Sequence, residues 1–358
     1  MNPKIMVINN RFNILGGAEK LISELSNYLA YHNYPVVIFT PFACPEFKQT
    51  LKDIRIIETE NEQNLFNYVS ALAHKFDIIN PHNHPTELYL PYPIKLPKVW
   101  QCNEPPETVL RGGSIEAGER EYVRRTTKKV VVLTNYDKFR FEKTYGIEPA
   151  VNLPGIDYGY FSESVKPRNT LNMRDNFVIT QVGYFTWTKN QVRTVEIFSE
   201  VIKEIPKAKL VLAGYDANAK TDYSMNVHKK VEELGLEDDV LFIDFLNEED
   251  LRNLYKQTNV FISPILDQGG ILSVFEAIAA GVPTIVSPYF VASDIIKERN
   301  LGRISDVDEN FIKAILDIYS SLGEEKQKTA ENAKWIGENL TWKHFGKKYE
   351  EIFEEALR

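Results

Sequence analysis

Residues Asn259–Pro288, NVFISPILDQGGILSVFEAIAAGVPTIVSP, contain a strand, a glycine turn, a helix and a second strand in one run. Val260–Ile262 is a short β-favouring apolar run, and Gly269-Gly270 forms a turn whose backbone a ligand can approach closely. The next helix, predicted over Ser273–Ala280, ends at Gly281-Val282-Pro283. Because a strand, a loop and a helix N-terminus together expose N–H groups, the stretch predicts an anion site in an α/β sheet.

The composition is that of an ordinary soluble protein with room for two domains: 358 residues, 43% hydrophobic and 26% charged. The net charge of −8 argues against general nucleic-acid binding, which depends on neutralising phosphates with basic residues. Two cysteines, Cys44 and Cys102, favour a reduced compartment. The N-terminus lacks a signal-peptide core, and no segment approaches the roughly 18 apolar residues of a membrane span, so we expect a cytoplasmic protein.

The first half opens with a β–α–β pattern. Ile5–Ile8 is a buried-type strand, Gly16-Gly17 precedes a helix with leucines at every fourth position, and Pro35–Thr40 is the next strand. The glycine pair either serves only the turn or places N–H groups against an anionic ligand, and the residues alone leave both open.

Polar residues follow two later strands. His82 and His84 come after Ile78–Asn80, at the end where parallel sheets bind ligands, while Asn103 and Glu104 come after another strand. The histidines suit hydrogen bonding or a purely structural role, since a metal site would need a third ligand that the sequence does not indicate. Asn103 and Glu104 suit either a ligand site or a plain strand-exit loop.

A basic cluster lies in the segment from Gly118 to Lys129. It consists of Arg120, Arg124, Arg125, Lys128 and Lys129. The cluster could face an anionic membrane or acceptor, which would make the protein peripheral at the inner membrane face. The interleaved acidic residues also suit an ordinary solvated helix face.

The second half repeats the α/β alternation. Residues 152–172 gather Gly, Pro, Ser and Asn, which indicates a domain crossing. Strands predicted at Phe177–Val182, Ala208–Ala213 and Val240–Ile243 alternate with helices and lead into the opening stretch. Lys189, in the loop after the first of these strands, is either a phosphate ligand or an arbitrary loop lysine. Two doubly wound units in succession predict a ligand site in the cleft between them.

Several motifs occur together, in order, along nearly the whole chain. They are Gly16-Gly17-Ala18-Glu19, Pro154-Gly155-Ile156-Asp157 with Tyr160-Phe161, Gly183 to Asn190, Glu276 to Pro283, and Thr341-Trp342. With them the chain resembles glycosyltransferase family 4, retaining sugar-nucleotide transferases of the GT-B fold. The resemblance implies an α/β protein with two Rossmann-like, doubly wound domains facing a central cleft. Residues 1–162, with a helix at about 343–358 packing back on them, would form the acceptor side, and residues 163–342 the donor domain.

The resemblance also implies roles for single residues. Glu276 would hold the nucleotide ribose, Lys189 the donor phosphates, and Asn103 would lie near the reacting sugar. Donor-binding residues would be Gly16, Gly17, Gly183, Tyr184, Lys189, Asn190, Gln268, Gly269, Gly270, Ile271, Leu272 and Glu276. The catalytic residues would be Lys189, Asn103, Glu104 and Gly17, and His82 and His84 would lie on the acceptor side. A family-like reaction uses a nucleotide-sugar donor and a hydroxyl acceptor, with no metal or other cofactor.

The chain departs from the family pattern at three polar positions. Gln268 lies where the family has a glutamate, Tyr184 where it has an arginine, and Asn103 where many members have a histidine. These changes keep open a second class of function, a catalytically weakened, transferase-like binding or accessory protein. A Rossmann oxidoreductase is not favoured, because no G-x-G-x-x-G follows the first strand.

Overall fold

The chain forms two compact α/β units. The structure, a computed structural model, describes residues 2–90, 95–103, 117–165, 173, 175–267 and 269–358. One unit comprises Met1–Gly155 and Trp342–Arg358, and the other comprises Ile156–Thr341.

The first unit is built on parallel strands with helices between them. Its strands are Ile5–Ile8 (β1), Val36–Thr40 (β2), Arg55–Glu58 (β3), Ile78–Pro81 (β4), Val99–Gln101 (β5), Lys129–Val132 (β6) and Ala150–Val151 (β7). Its helices include Gly17–Tyr31 (α1), Pro45–Thr50 (α2), Glu62–Leu72 (α3), Ala117–Thr126 (α4) and Asn135–Tyr145 (α5). The strand orders are β3-β2-β1-β4 and β5-β6-β7, all parallel.

Two single bridges join the edges of these sheets. Ile79 pairs with Lys98, and His82 pairs with Gln101. The second bridge lies just beyond the carboxyl end of β4 and at the end of β5, so the polar residues that follow the two strands become neighbours. This edge is where parallel sheets place ligands.

The helix Trp342–Leu357 (α15) belongs to the first unit. Its Phe345, Tyr349 and Phe353 are buried in the same core as Leu25 of α1. The three buried residues are four positions apart, so they form one apolar face of α15. This face is buried because the chain returns to the first unit and packs α15 against α1.

The second unit contains one parallel sheet of order β10-β9-β8-β11-β12-β13. Its strands are Phe177–Val182 (β8), Ala208–Ala213 (β9), Val240–Ile243 (β10), Val260–Ser263 (β11), Thr284–Val286 (β12) and Arg303–Ile304 (β13). Its helices are Tyr158–Ser162 (α6), Gln191–Glu204 (α7), Asp222–Glu233 (α8), Asn247-capped Glu248–Gln257 (α9), Ile271–Ala279 (α10), Ser293–Glu298 (α11), Asp308–Ser320 (α12), Leu322–Asn332 (α13) and Lys334–Asn339 (α14).

The division between the units lies between Gly155 and Ile156, earlier than the boundary expected after residue 162. The reason is that α6 packs into the second unit. Its Phe161 is buried, with its ring centroid 5.9 Å from that of Tyr255. The Gly-Pro-rich sequence marks the crossing, but only packing decides on which side the short helix lies.

The segment Asn259–Pro288 has the predicted order of elements with one correction. Helix α10 begins at Ile271 rather than Ser273, because Gly269 and Gly270 both adopt left-handed φ of 75° and Gly270 is the N-cap. At the other end Gly281, with φ of 79°, ends the helix before Pro283. The glycine pair therefore lies directly at the helix N-terminus.

Candidate functional site

The side chain of Lys189 extends from the loop after β8 to the glycine pair that follows the neighbouring strand β11. Its methylene carbons pass Gly183, and its ammonium nitrogen lies 2.5 Å from where a Cβ on Gly269 would stand and 3.4 Å from one on Gly270. An ammonium and the N-terminus of a nine-residue helix, α10, thus meet at one point. Both carry positive charge, and the absence of side chains on the glycines leaves room for a ligand to approach, so the arrangement suits a diphosphate.

Two loops are tied together around Lys189. The Leu266 N–H donates to the Thr188 carbonyl at 2.8 Å, and the Asn190 side chain donates to the Pro264 carbonyl at 3.3 Å. Asn190 itself has a left-handed φ of 57° and caps helix α7. These bonds hold the Lys189 loop against the strand end that precedes Gly269.

A buried pair beneath the loop fixes the Lys189 backbone. The Gln181 amide donates to the Lys189 carbonyl at 2.7 Å, and the Thr194 hydroxyl donates to the Gln181 side-chain oxygen at 2.6 Å. Both polar residues are almost fully buried. Because a buried amide left without partners is costly, Gln181 and Thr194 hold the loop in one position.

Tyr184 supplies no positive charge near the Lys189 ammonium. Its side chain is 43% exposed. A hydrogen bond to Asp216 raises the pKa of the Tyr184 hydroxyl to about 12, so the phenol stays neutral. Of the second unit's predicted donor residues, Gly183, Lys189, Asn190, Gly269, Gly270, Ile271 and Leu272 lie together at the strand ends and at the start of α10.

Glu276 lies one turn further along α10 and is only 4% exposed. Tyr255 is its neighbour: burial and a hydrogen bond with Glu276 raise the pKa of that phenol well above its usual range. The Tyr255 hydroxyl also contacts the Ser273 carbonyl at 3.2 Å. The carboxylate is thus held beside a buried phenol, whose ring packs edge-to-face against Phe161. The sequence did not predict a role for Tyr255, because within α9 it reads as an ordinary residue of the apolar helix face.

In the first unit, Gly16 and Gly17 stand at the start of α1 as predicted. The Gly16 N–H donates to the Glu19 carboxylate at 3.1 Å, and a Cβ on Gly16 would lie 2.8 Å from that oxygen. Glu19 therefore occupies the N–H that was expected to approach a diphosphate. An anion would reach this amide only after the Glu19 side chain turns away.

His82 is buried and neutral. Its Nε2 lies 2.9 Å from the Asn80 side-chain oxygen, and burial lowers the pKa of the imidazole to about 3. Asn80 in turn donates to the Val99 carbonyl at 2.7 Å. The geometry is that of a structural histidine that joins β4 to β5.

This burial predicts a pH dependence of stability. Below about 6.5 the unfolded chain protonates His82, whereas the folded chain does not until about 3, so the free energy of unfolding falls as pH drops through this window. One such group contributes at most about 1.4 kcal/mol per pH unit. In urea unfolding between neutral and mildly acid pH, the free energy of unfolding should fall less steeply with pH for His82→Gln than for wild type. Equal pH dependence in the two proteins would contradict the assignment.

His84 is half-buried and is held by a carboxylate that the sequence did not reveal as important. Its Nδ1 lies 2.6 Å from the buried Glu87 side chain, and this hydrogen bond raises the pKa of His84. Glu87 is also near Lys98, whose ammonium donates to the Glu87 carbonyl at 2.6 Å and to the Thr126 hydroxyl at 2.7 Å. Burial lowers the pKa of Lys98 to about 7. Neither Glu87 nor Lys98 stands in a recognisable motif, and only the fold brings them together.

Asn103 lies beside Asn83 at the edge defined by β4 and β5. Its amide nitrogen donates to the Asn83 side-chain oxygen at 2.8 Å, and its oxygen accepts from Gln101 at 2.9 Å. Asn83 has a left-handed φ of 63°. The sequence predicts Asn103 at the end of a strand, next to Gln101 of the same strand, but its other partner, Asn83, follows the neighbouring strand β4, which sequence spacing does not show.

The basic cluster is largely paired within the first unit. Arg125 contacts Glu121 at 2.5 Å, Lys129 contacts Glu355 at 2.7 Å, and Arg124 donates to the Tyr145 carbonyl at 2.5 Å. These contacts favour the solvated-face interpretation for those three side chains. Contact with an anionic membrane stays a prediction.

Two predicted site residues, Glu104 and Gln268, lie outside the described residues. Within the part of the chain that the structure describes, no three His, Cys, Asp or Glu side chains are grouped as a metal site would require. In the same described ranges, no helix combines the length and apolar character needed to cross a bilayer.

Residues 163–335 match the sequence model of the family described as Glycosyl transferases group 1. A solved structure, Anabaena HepE in complex with UDP and glucose, has a TM-score of 0.84 at 16% identity and covers 99% of this chain and 100% of that one. The chain therefore has the two-domain α/β fold of GT-B glycosyltransferases.

Curated relatives share about a quarter of their aligned residues with the chain. Alpha-monoglucosyldiacylglycerol synthase of Streptococcus pneumoniae is 22% identical over 59% of this chain and 48% of its own length. An Escherichia coli enzyme, UDP-Gal:alpha-D-GlcNAc-diphosphoundecaprenol alpha-1,3-galactosyltransferase, is 26% identical over 55% and 52%. The chain thus spans about half the length of the curated relatives that it matches.

Proposed function

We propose that this chain, whose residues 163–335 match the model of the group 1 glycosyl transferases, transfers a hexosyl group from a nucleotide sugar to a hydroxyl acceptor. The observation that supports this most is the Lys189 ammonium beside Gly269 and Gly270 at the start of α10. Such a site can neutralise the negative charge of a diphosphate. A nucleoside-diphosphate sugar is a donor that carries a diphosphate. Of the relatives named above, one is a monoglucosyldiacylglycerol synthase and the other is a galactosyltransferase that uses UDP-Gal and a diphosphoundecaprenol-linked sugar.

The proposed reaction retains the configuration at the anomeric carbon. The bond from that carbon to the diphosphate breaks, and a bond to the acceptor oxygen forms on the same face. The acceptor hydroxyl gives its proton to the leaving phosphate oxygen. Lys189 and the α10 N-terminus stabilise the negative charge that develops on this oxygen.

This arrangement supports a metal-independent reaction. An ammonium and a helix N-terminus already supply positive charge where the diphosphate would lie. We expect turnover to be unchanged by a chelator such as EDTA and not restored or raised by added Mg²⁺ or Mn²⁺. A chelator-sensitive rate would contradict this part of the proposal.

The proposal assigns the ribose hydroxyls to Glu276, whose carboxylate lies beside Tyr255. Glu276→Gln should weaken nucleotide binding by roughly 10- to 150-fold, because a charge-assisted hydrogen bond contributes about 1.5–3 kcal/mol. Calorimetric titration with the free nucleotide measures this directly. Glu298→Gln, at the exposed end of α11, is the control and should bind as wild type does. Undiminished affinity of the Glu276 variant would remove it from the ribose site.

The second candidate is a transferase-like protein that binds a nucleotide sugar without transferring it. Tyr184, which is hydrogen-bonded to Asp216, occupies the family's arginine position, so it adds no positive charge to that of Lys189 in the loop. In the first unit, the Gly16 N–H already donates to the Glu19 carboxylate. Such a protein would bind a nucleotide sugar but release no free nucleotide over time.

A thermal-shift screen against UDP, GDP, ADP and CMP and their sugars tests the donor class. Ligand binding raises the melting temperature by mass action, so the cognate nucleotide should stand out from the other three. No shift with any of them at millimolar concentration would overturn the proposal.

A further inference from the structure

A chain of hydrogen-bonded side chains runs through the first unit from its interior to the carboxyl ends of β4 and β5. The Tyr349 hydroxyl of α15 donates to Gln101, Gln101 donates to Asn103 at 2.9 Å, Asn103 to Asn83 at 2.8 Å, and Asn83 to Asn9 at 3.2 Å. The last amide, Asn9, donates to the Arg11 carbonyl. We call these five side chains the amide relay: Tyr349, Gln101, Asn103, Asn83 and Asn9.

The direction of the amide relay is determined at its far end. The Arg11 carbonyl can only accept, so the Asn9 side chain must turn its nitrogen towards it and its oxygen towards Asn83. Each following amide is then constrained in the same sense, nitrogen towards the next residue and oxygen towards the previous donor. The Gln101 oxygen is left to accept from a hydroxyl, and Tyr349 supplies that hydroxyl.

Burial divides the amide relay into an interior part and an accessible part. Tyr349, Gln101 and Asn9 are fully buried, whereas Asn83 and Asn103 are half-buried. These two stand at the carboxyl ends of β4 and β5, where a parallel sheet binds ligands. Asn103 uses one of its two N–H groups on Asn83, and among the described residues no acceptor is bonded to the other.

We propose that Tyr349 is a positioning residue, which acts through Gln101 to hold the Asn103 amide with an N–H directed to the reacting sugar or its acceptor. This proposal rests on the proposed transferase function for its consequence, but the geometry of the amide relay does not. Without the Tyr349 hydroxyl, no other donor among the described residues is bonded to the buried Gln101 oxygen. Gln101 then turns to find one and no longer holds the Asn103 oxygen.

Tyr349→Phe is the direct test, because it keeps the ring in the α1–α15 core and removes only the hydroxyl. Tyr28→Phe is the matched control: its hydroxyl joins the same helix pair by donating to Glu350 at 3.2 Å, outside the amide relay. In protein labelled with ¹⁵N-asparagine, the Asn103 side-chain signal, assigned through Asn103→Ala, should shift in Tyr349→Phe and not in Tyr28→Phe. An unmoved Asn103 signal in Tyr349→Phe would overturn the proposal.

Turnover gives the second readout, using the slow hydrolysis of UDP-glucose, GDP-mannose or ADP-glucose, in which water takes the sugar in place of the acceptor hydroxyl and nucleoside diphosphate is released. Tyr349→Phe should lower kcat about 3- to 10-fold with little change in donor KM, and Tyr28→Phe should not. In the Asn103→Ala background, Tyr349→Phe should have no further effect. Additive losses would show that Tyr349 acts through stability or another residue, which overturns the positioning role.

The two readouts separate this inference from the proposed function. A shifted Asn103 signal in a protein that turns over none of the three donors would support the positioning and overturn the transferase. Gln101→Leu breaks the amide relay at its second member and gives the same comparison if Tyr349→Phe does not fold. It should shift the same signal and be equally non-additive with Asn103→Ala.

Discussion

Lys189→Ala should slow sugar transfer roughly 10- to 150-fold, mainly in kcat. The estimate follows from losing one charge-assisted hydrogen bond of about 1.5–3 kcal/mol to the leaving phosphate. The loss falls on kcat because negative charge on that oxygen grows as the bond to the sugar breaks, so the ammonium binds the transition state more strongly than the donor.

The control for this substitution is Lys203→Ala. Lys203 also lies in the second unit, but it is exposed on α7, where its ammonium lies 2.6 Å from the Glu200 carboxylate. Its removal should leave kcat and KM unchanged. Single-turnover rates that are equal in wild type and Lys189→Ala would remove Lys189 from the chemistry, even if the variant bound the donor less tightly.

Gly269→Ala should reduce turnover almost as far as Lys189→Ala, although it deletes no functional group. The new methyl would stand 2.5 Å from the Lys189 ammonium, and the flexible lysine is the group that yields. The left-handed φ of 75° adds a backbone cost of about 1–2 kcal/mol, which lowers the free energy of unfolding. Activity and stability should therefore both fall, for two separable reasons.

Gly235→Ala separates these reasons. Gly235 has a similar left-handed φ of 65°, but apart from its chain neighbours no described residue has a heavy atom within 4 Å of an added Cβ. It should lose about the same stability in urea unfolding and keep wild-type turnover. Adding Lys189→Ala to Gly269→Ala should produce little further loss, because both changes remove the same ammonium. Fully multiplicative losses would mean that Gly269 acts independently of Lys189.

Much of the second unit could be predicted from sequence because its signals are local. Strands β8, β9 and β10 lie at their predicted bounds, since each is a short β-favouring run between turn residues. Helix α10 begins two residues before its predicted start, because the left-handed conformation of Gly269 and Gly270 depends on the loop that they close. Periodicity alone does not report such a conformation.

The polar interior of the first unit could not be predicted in the same way. Asn9, Asn83 and Gln101 come from three different strand ends, and Tyr349 comes from a helix at the other end of the chain. Each is ordinary in its own sequence context. Their alignment depends on the bridge between His82 and Gln101 and on the return of α15, which are long-range features of the fold.

The central claim is that the second unit holds a nucleotide sugar by its diphosphate and that the chain transfers the sugar. The most direct measurement follows UDP-glucose, GDP-mannose and ADP-glucose by ³¹P NMR with wild-type protein and with Lys189→Ala. We predict that wild type releases nucleoside diphosphate from one of the three and that Lys189→Ala releases it at least 10-fold more slowly. A folded wild-type protein that leaves all three donors intact, or equal release by the two proteins, would contradict the account.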